Sequence, residues 1–159
     1  MKKVMIFLIL MMNVLCVKAQ FLNDVKLGGS IICSNQFREK AFVNVGVDLR
    51  ATANVYKYLS LRTIANINGF IPNGFDRYGT VMCGIQTSEF PAYVFADFGL
   101  NCNLSGKKAI GMAFDCGLGL NYDFTNRLSM YAELAIDRIN SAKYWQSTPS
   151  VKIGILYLL

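Results

Sequence analysis

The stretch AIGMAFDCGLGLNYDF at 109–124 separates into two sets when read at every second residue. Ile110, Met112, Phe114, Cys116, Leu118, Leu120, Tyr122 and Phe124 fall in one set; Gly111, Ala113, Asp115, Gly117, Gly119, Asn121 and Asp123 fall in the other. All the large apolar residues share one side. Side chains alternate across a strand with a period of two, whereas a helix repeats at 3.6, so the pattern predicts a strand with one apolar face. The same split runs through FVNVGVDLRATANV at 42–55, where Val43, Val45, Val47, Leu49, Ala51 and Ala53 oppose Asn44, Gly46, Asp48, Arg50, Thr52 and Asn54. It recurs in LSLRTIANIN, AYVFADFGLNCN, LSMYAELAIDR and the final VKIGILYLL, and more weakly at 25–33 and 77–86. Segments with turn chemistry separate them: NQFREK, NVYK, GFIPNGFD, TSEFP, LSGKK, DFTNR and INSAKYWQSTPS. One all-β domain of eight antiparallel strands joined by hairpins is the economical reading.

The first twenty residues behave differently. Lys2 and Lys3 precede an apolar run from Val4 to Met12, and Ala19 stands before Gln20. That order of charge, apolar run and small residue predicts a secretory signal peptide over 1–19, with the barrel domain over 20–159. The run is too short for a membrane helix, which takes about 20 residues. Leu15 before Cys16 argues against a lipidated cysteine, where a small residue is the rule. Removing the leader takes Lys2, Lys3 and Lys18 from the sixteen basic residues, so the net charge falls from +6 to +3. The remaining basic residues are scattered, which gives no footprint for nucleic acid.

Cys33, Cys83, Cys102 and Cys116 remain, irregularly spaced, with no CxxC and no histidine to complete a zinc site. They read as small apolar residues on strand faces, and no metal or cofactor is expected. Absence of histidine also removes the usual general base. With no GxSxG and no phosphate-cradling glycine loop, no catalytic residue is assigned and the chain is expected not to be an enzyme.

Eight strands of about 10 residues can close into a barrel, and about 9 to 11 tilted residues cross a bilayer. Alternation does not say which face points out. A lipocalin-like secreted barrel places the apolar face inside around a ligand, and a transmembrane barrel places it outside. Three features favour the second. The polar face mixes glycine with Asn, Asp and Arg, a composition suited to a narrow lumen. Aromatic residues gather at strand ends: Tyr56, Tyr58, Phe90, Tyr122, Phe124 and Tyr157 toward the rim that holds the termini, Phe37, Phe42, Phe70, Phe75, Tyr144 and Trp145 toward the other. Finally, VKIGILYLL sets Lys152, Gly154, Tyr157 and Leu159 in the order polar, glycine, apolar, apolar.

That ending resembles the insertion signal of bacterial outer-membrane barrels, with Leu159 where phenylalanine is commonest. Over 20–159 the chain resembles the small eight-stranded outer-membrane barrels of the OmpA/OmpX type, in a Bacteroidetes-like version suggested by Ala19–Gln20. GLGLNYDFTNRLSMYAEL at 117–134, with Glu133 inward, carries the likeness most specifically. The resemblance implies an outer-membrane location, lipid and the barrel-assembly machinery as partners, and an adhesive, structural or pore-like role.

The inward charges form the candidate site: Asp48, Arg50, Arg62, Asp97, Asp115, Glu133 and Lys152. Pairing around LSGKK sets Asp97 opposite Asp115, and pairing around NVYK sets Arg50 opposite Arg62. Across an eight-stranded bore, Arg50 is expected to aim at Asp115 and Arg62 at Glu133. Such a network plugs the lumen or, on rearranging, gates it; a third reading is an acid pair for hydrolysis. Tyr144 and Trp145, expected in the longest outer loop, read as belt aromatics or as contact anchors for an unknown external partner. A structural or surface-interaction role follows, with a passive pore and a secreted apolar-ligand binder as alternatives.

Overall fold

The computed structural model describes residues 23–38, 40–71, 78–87, 91–104, 110–141 and 144–159; of these, the side chains of 23, 35–38, 40–44, 70–71, 139–141 and 144–146 are outside the description. Each alternating stretch forms a strand: β1 (Asn23–Arg38), β2 (Lys40–Tyr56), β3 (Leu59–Ile71), β4 (Tyr78–Thr87), β5 (Ala92–Asn103), β6 (Ile110–Asp123), β7 (Leu128–Ser141) and β8 (Tyr144–Leu158). Every strand pairs antiparallel with its neighbours in sequence, and β8 returns to β1, giving a closed barrel. Closure leaves no strand edge without a partner sheet, which is the condition for a sheet to sit in hydrocarbon.

The strands run longer than their sequence patterns suggested. Residues of NQFREK belong mostly to β1 and β2, and β8 begins at Tyr144, so Tyr144 and Trp145 stand in a strand and not in a loop. The hairpin ladder simply continues past the last apolar residue, because backbone pairing is favourable in water as well as in lipid. The leader expected at 1–19 lies outside the described residues, as do Phe75, Phe90 and the side chains of Phe37, Phe42, Phe70, Tyr144 and Trp145.

The apolar set faces out. Leu49, Ile110, Leu118, Leu134 and Ile153 are 55–74% exposed, while Lys152, Asp115, Arg62, Glu133 and Asp97 are at most 1% exposed. This polarity is inverted relative to a water-soluble barrel, and it excludes the lipocalin-like arrangement, in which the apolar face lines the interior. The four described cysteines are free, on the outward rows, exposed at Cys33 and Cys83 and half-buried at Cys102 and Cys116. At the termini end Tyr56, Tyr58, Tyr122, Phe124 and Tyr157 are exposed, with Tyr122 and Phe124 edge to face at 5.1 Å.

The register gives the barrel its tilt. A perpendicular walk from Lys26 passes Thr52, Arg62, Gly84, Asp97, Asp115, Asp137 and Thr148. Continuing the β1–β8 register by two residues sets Thr148 level with Gln36, ten residues beyond the start. Eight strands with that stagger tilt by about 40° and enclose a bore of about 8 Å backbone radius. Side chains from opposite walls therefore meet.

Candidate functional site

Glu133 on β7 is the centre of the interior. Arg50 of β2 donates to both of its carboxylate oxygens, at 2.7 and 2.6 Å, and Arg62 of β3 donates to both at 2.9 and 3.3 Å. Tyr93 of β5 adds a hydroxyl bond of 2.6 Å. Bidentate guanidinium–carboxylate bonds are among the strongest available to side chains, and removal from water strengthens them further. Each guanidinium also lies over an aromatic ring at 4.0 Å, Arg50 on Tyr131 and Arg62 on Phe95.

Arg62 reaches sideways as well. Its Nε lies 3.0 Å from Asp97 Oδ1, an ion contact that lacks hydrogen-bond alignment, since neither atom has a hydrogen-bond partner. Gln86 accepts from Arg62 at 3.3 Å. A second cluster surrounds Lys152 of β8, which donates to Asp115 Oδ2 and lies 3.4 Å from Asp137. Asp48 is held separately, accepting from Ser30 at 2.6 Å and Tyr131 at 3.3 Å.

Glycines make these cross-strand contacts possible. Gly119 stands between Tyr93 and Glu133 on adjacent strands, and a Cβ there would overlap the Tyr93 ring. With no side chain on the middle strand, the tyrosine crosses it and reaches the carboxylate. Gly84 does the same between Arg62 and Asp97, where a Cβ would strike Asp97 Oδ1. Gly154, expected only as part of the terminal signal, lies between Tyr131 and Ser30 and leaves room for the Tyr131 ring on its way to Asp48.

The structure thus brings the seven expected lumen residues into the interior, with Arg62 on Glu133 as the strand order suggested and a different partner for Arg50. Asp97 faces Asp115 in the ladder as the hairpin pattern required. Arg62 faces Thr52, and Arg50 faces Ile64. The turn is centred on Lys57 and Tyr58 with a bulge between Asn54 and Tyr56, which staggers the arginines by two residues and avoids opposing like charges. Arg50 consequently pairs with Glu133 and not with Asp115; strand tilt shifts the facing level along the wall, so strand order alone misplaces the partner. Tyr93, Tyr131, Asp137, Ser30 and Gln86 were missed. Shared parity with Asp97 or Glu133 was the signal that marks Tyr93, Tyr131 and Asp137. Of the terminal set, Lys152 and Gly154 point in, and Tyr157 and Leu159 are exposed outward. Among the described residues, no group of three His, Cys, Asp or Glu side chains is arranged to hold a metal.

No protein-family model matches the sequence, and no curated protein is similar to it at a significant level. Solved structures do match its fold. Neisserial surface protein A superposes with a TM-score of 0.60 at 12% identity, over 86% of this chain and 96% of that one. Ail, the attachment invasion locus protein of Yersinia pestis, gives 0.57 at 10% identity, covering 86% and 97%. A de novo designed transmembrane β-barrel gives 0.52 at 19% identity, covering 84% and 95%. The chain has the eight-stranded transmembrane β-barrel fold.

Proposed function

We propose that this protein is an integral barrel of the bacterial outer membrane, non-catalytic, with a structural or surface-interaction role and a lumen closed to permeation. The observation that carries the closed lumen is Glu133, which is bonded at once from β2, β3 and β5 across a bore of about 8 Å radius. Ions crossing the barrel would have to displace buried charge pairs, whose separation costs several kcal/mol. Outer-membrane residence is supported by the inverted polarity and by the fold shared with two bacterial surface proteins. A Bacteroidetes-like origin rests on the Ala19–Gln20 junction alone.

Two measurements test the reading. Residues 20–159 refolded into micelles should run as a compact unheated band that shifts on boiling. In planar bilayers the same protein should show no stepwise conductance. Discrete steps that vanish on tightening the Arg62 network would favour the passive pore, and a soluble, unshifted chain in plain buffer would remove the membrane reading altogether.

A further inference from the structure

Among the described residues, four buried carboxylates, Asp48, Asp97, Asp115 and Glu133, stand against three buried cations, Arg50, Arg62 and Lys152. Glu133 pairs with both arginines, Asp97 with Arg62 and Asp115 with Lys152. Asp48 is left over. It is 3% exposed, and its two oxygens accept only from the neutral hydroxyls of Ser30 and Tyr131. Arg50, the next inward residue of β2, turns both of its amino groups to Glu133. A carboxylate held out of water without a counter-charge is unfavourable unless a cation joins it, and each of its oxygens has room for a further partner.

Unmet oxygens stand beside it. In the row across the strands, Asp48 is level with Asn66 of β3, and Asn66 with Thr80 of β4. Asn66 Oδ1 and Thr80 Oγ1 are both buried without a hydrogen-bond partner. So is Asn68 Oδ1, which leans across to β2 and fills the space over Gly46, the inward position next to Asp48. The three side chains are 3–7% exposed. Neighbouring strands are about 4.8 Å apart, so side chains on one row can share a small ion. Carboxylate, amide carbonyl and hydroxyl oxygens are the ligands of hard cations, and a single formal charge among neutral oxygens suits an ion of charge +1.

We propose that Asp48, Asn66, Asn68 and Thr80 bind a monovalent alkali cation inside the bore. Asp48 lies farther from the termini end than Arg50, so the ion reaches its site from the opposite end without parting the Glu133 contacts. The site is therefore compatible with a lumen that does not conduct.

The chain over 20–159 is refolded into uncharged micelles, where the heat-shifted band reports the barrel separately from the site. Sodium chloride is titrated at constant ionic strength against choline chloride, whose cation is too bulky for the row. The sodium NMR line should broaden saturably and narrow again when potassium chloride competes. The urea midpoint should rise when either alkali chloride replaces choline chloride, and rise with the logarithm of concentration once the site fills. Asp48→Asn should abolish both effects, and Thr80→Val, which leaves every charge pair in place, should weaken binding severalfold. If Asp48→Asn gives no heat-shifted band, Thr80→Val and Asn68→Ala carry the test. Equal midpoints in choline and alkali chlorides, with no broadening, would mean that water alone meets these oxygens and overturn the site. Ion dependence that survives Asp48→Asn and Thr80→Val but is lost in Asp137→Asn would overturn the location in favour of the Lys152 cluster. Calcium chloride that displaces sodium at far lower concentration would overturn the monovalent assignment.

Discussion

Glu133 and Asp115 are both carboxylates within the bore, 1% and 0% exposed, and their surroundings could hardly differ more. Glu133 is held by three donors from three strands, with both oxygens engaged. Asp115 has one donor, Lys152, which it shares with Asp137, and its Oδ1 has no hydrogen-bond partner. One acid joins distant walls, whereas the other depends on a single neighbour. Burial by itself therefore does not rank these groups; what ranks them is how many separate strands would lose a partner if the group were removed.

The sharpest way to break the comparison is Glu133→Ala. It strands the buried Arg50 guanidinium and leaves Arg62 only Asp97 and Gln86, and should cost about 3–5 kcal/mol, read as a lower urea midpoint in micelles. Asp115→Ala should cost visibly less, and equal losses would mean that the two clusters are energetically alike. A smaller effect is expected at Gly119→Ala, which must displace the Tyr93 ring and forfeit its bond to a charged acceptor, about 1.5–3 kcal/mol. In a Tyr93→Phe background the same substitution should cost much less, and that coupling isolates the glycine's role. The smallest change is Asp115→Asn. Lys152 keeps Asp137 within 3.4 Å, so the midpoint should move by about 1 kcal/mol or less. A large loss there would show that Asp115 organises its cluster as Glu133 does.

The contrast also shows what a sequence discloses. Period-two alternation was enough for strand number, hairpin order and the Asp97–Asp115 pairing, since each depends on neighbours in the chain. The partner of Arg50 was not legible, because it depends on a bulge at Asn54/Tyr56 and on tilt accumulated over several strands. Tyr93 and Tyr131 were legible in parity but look like ordinary strand aromatics until the glycines beside them are seen to clear their path. The upper β7–β8 ladder was hidden for another reason: residues 139–141 and 144–150 read as loop because their composition is turn-like, yet their backbones pair with each other or with the rest of β7.

The eight-strand closure sets whether these same side chains seal or line the bore. Adding one more hairpin at comparable tilt would widen the backbone cylinder by about 4 Å in diameter. The present contacts of 2.6–3.3 Å around Glu133 have no such slack. The arginines and acids would then stand back from one another with water between them, as a ring of fixed charges in a selective conduit. Hairpin duplication, with no substitution in the interior, would turn a strut into a filter.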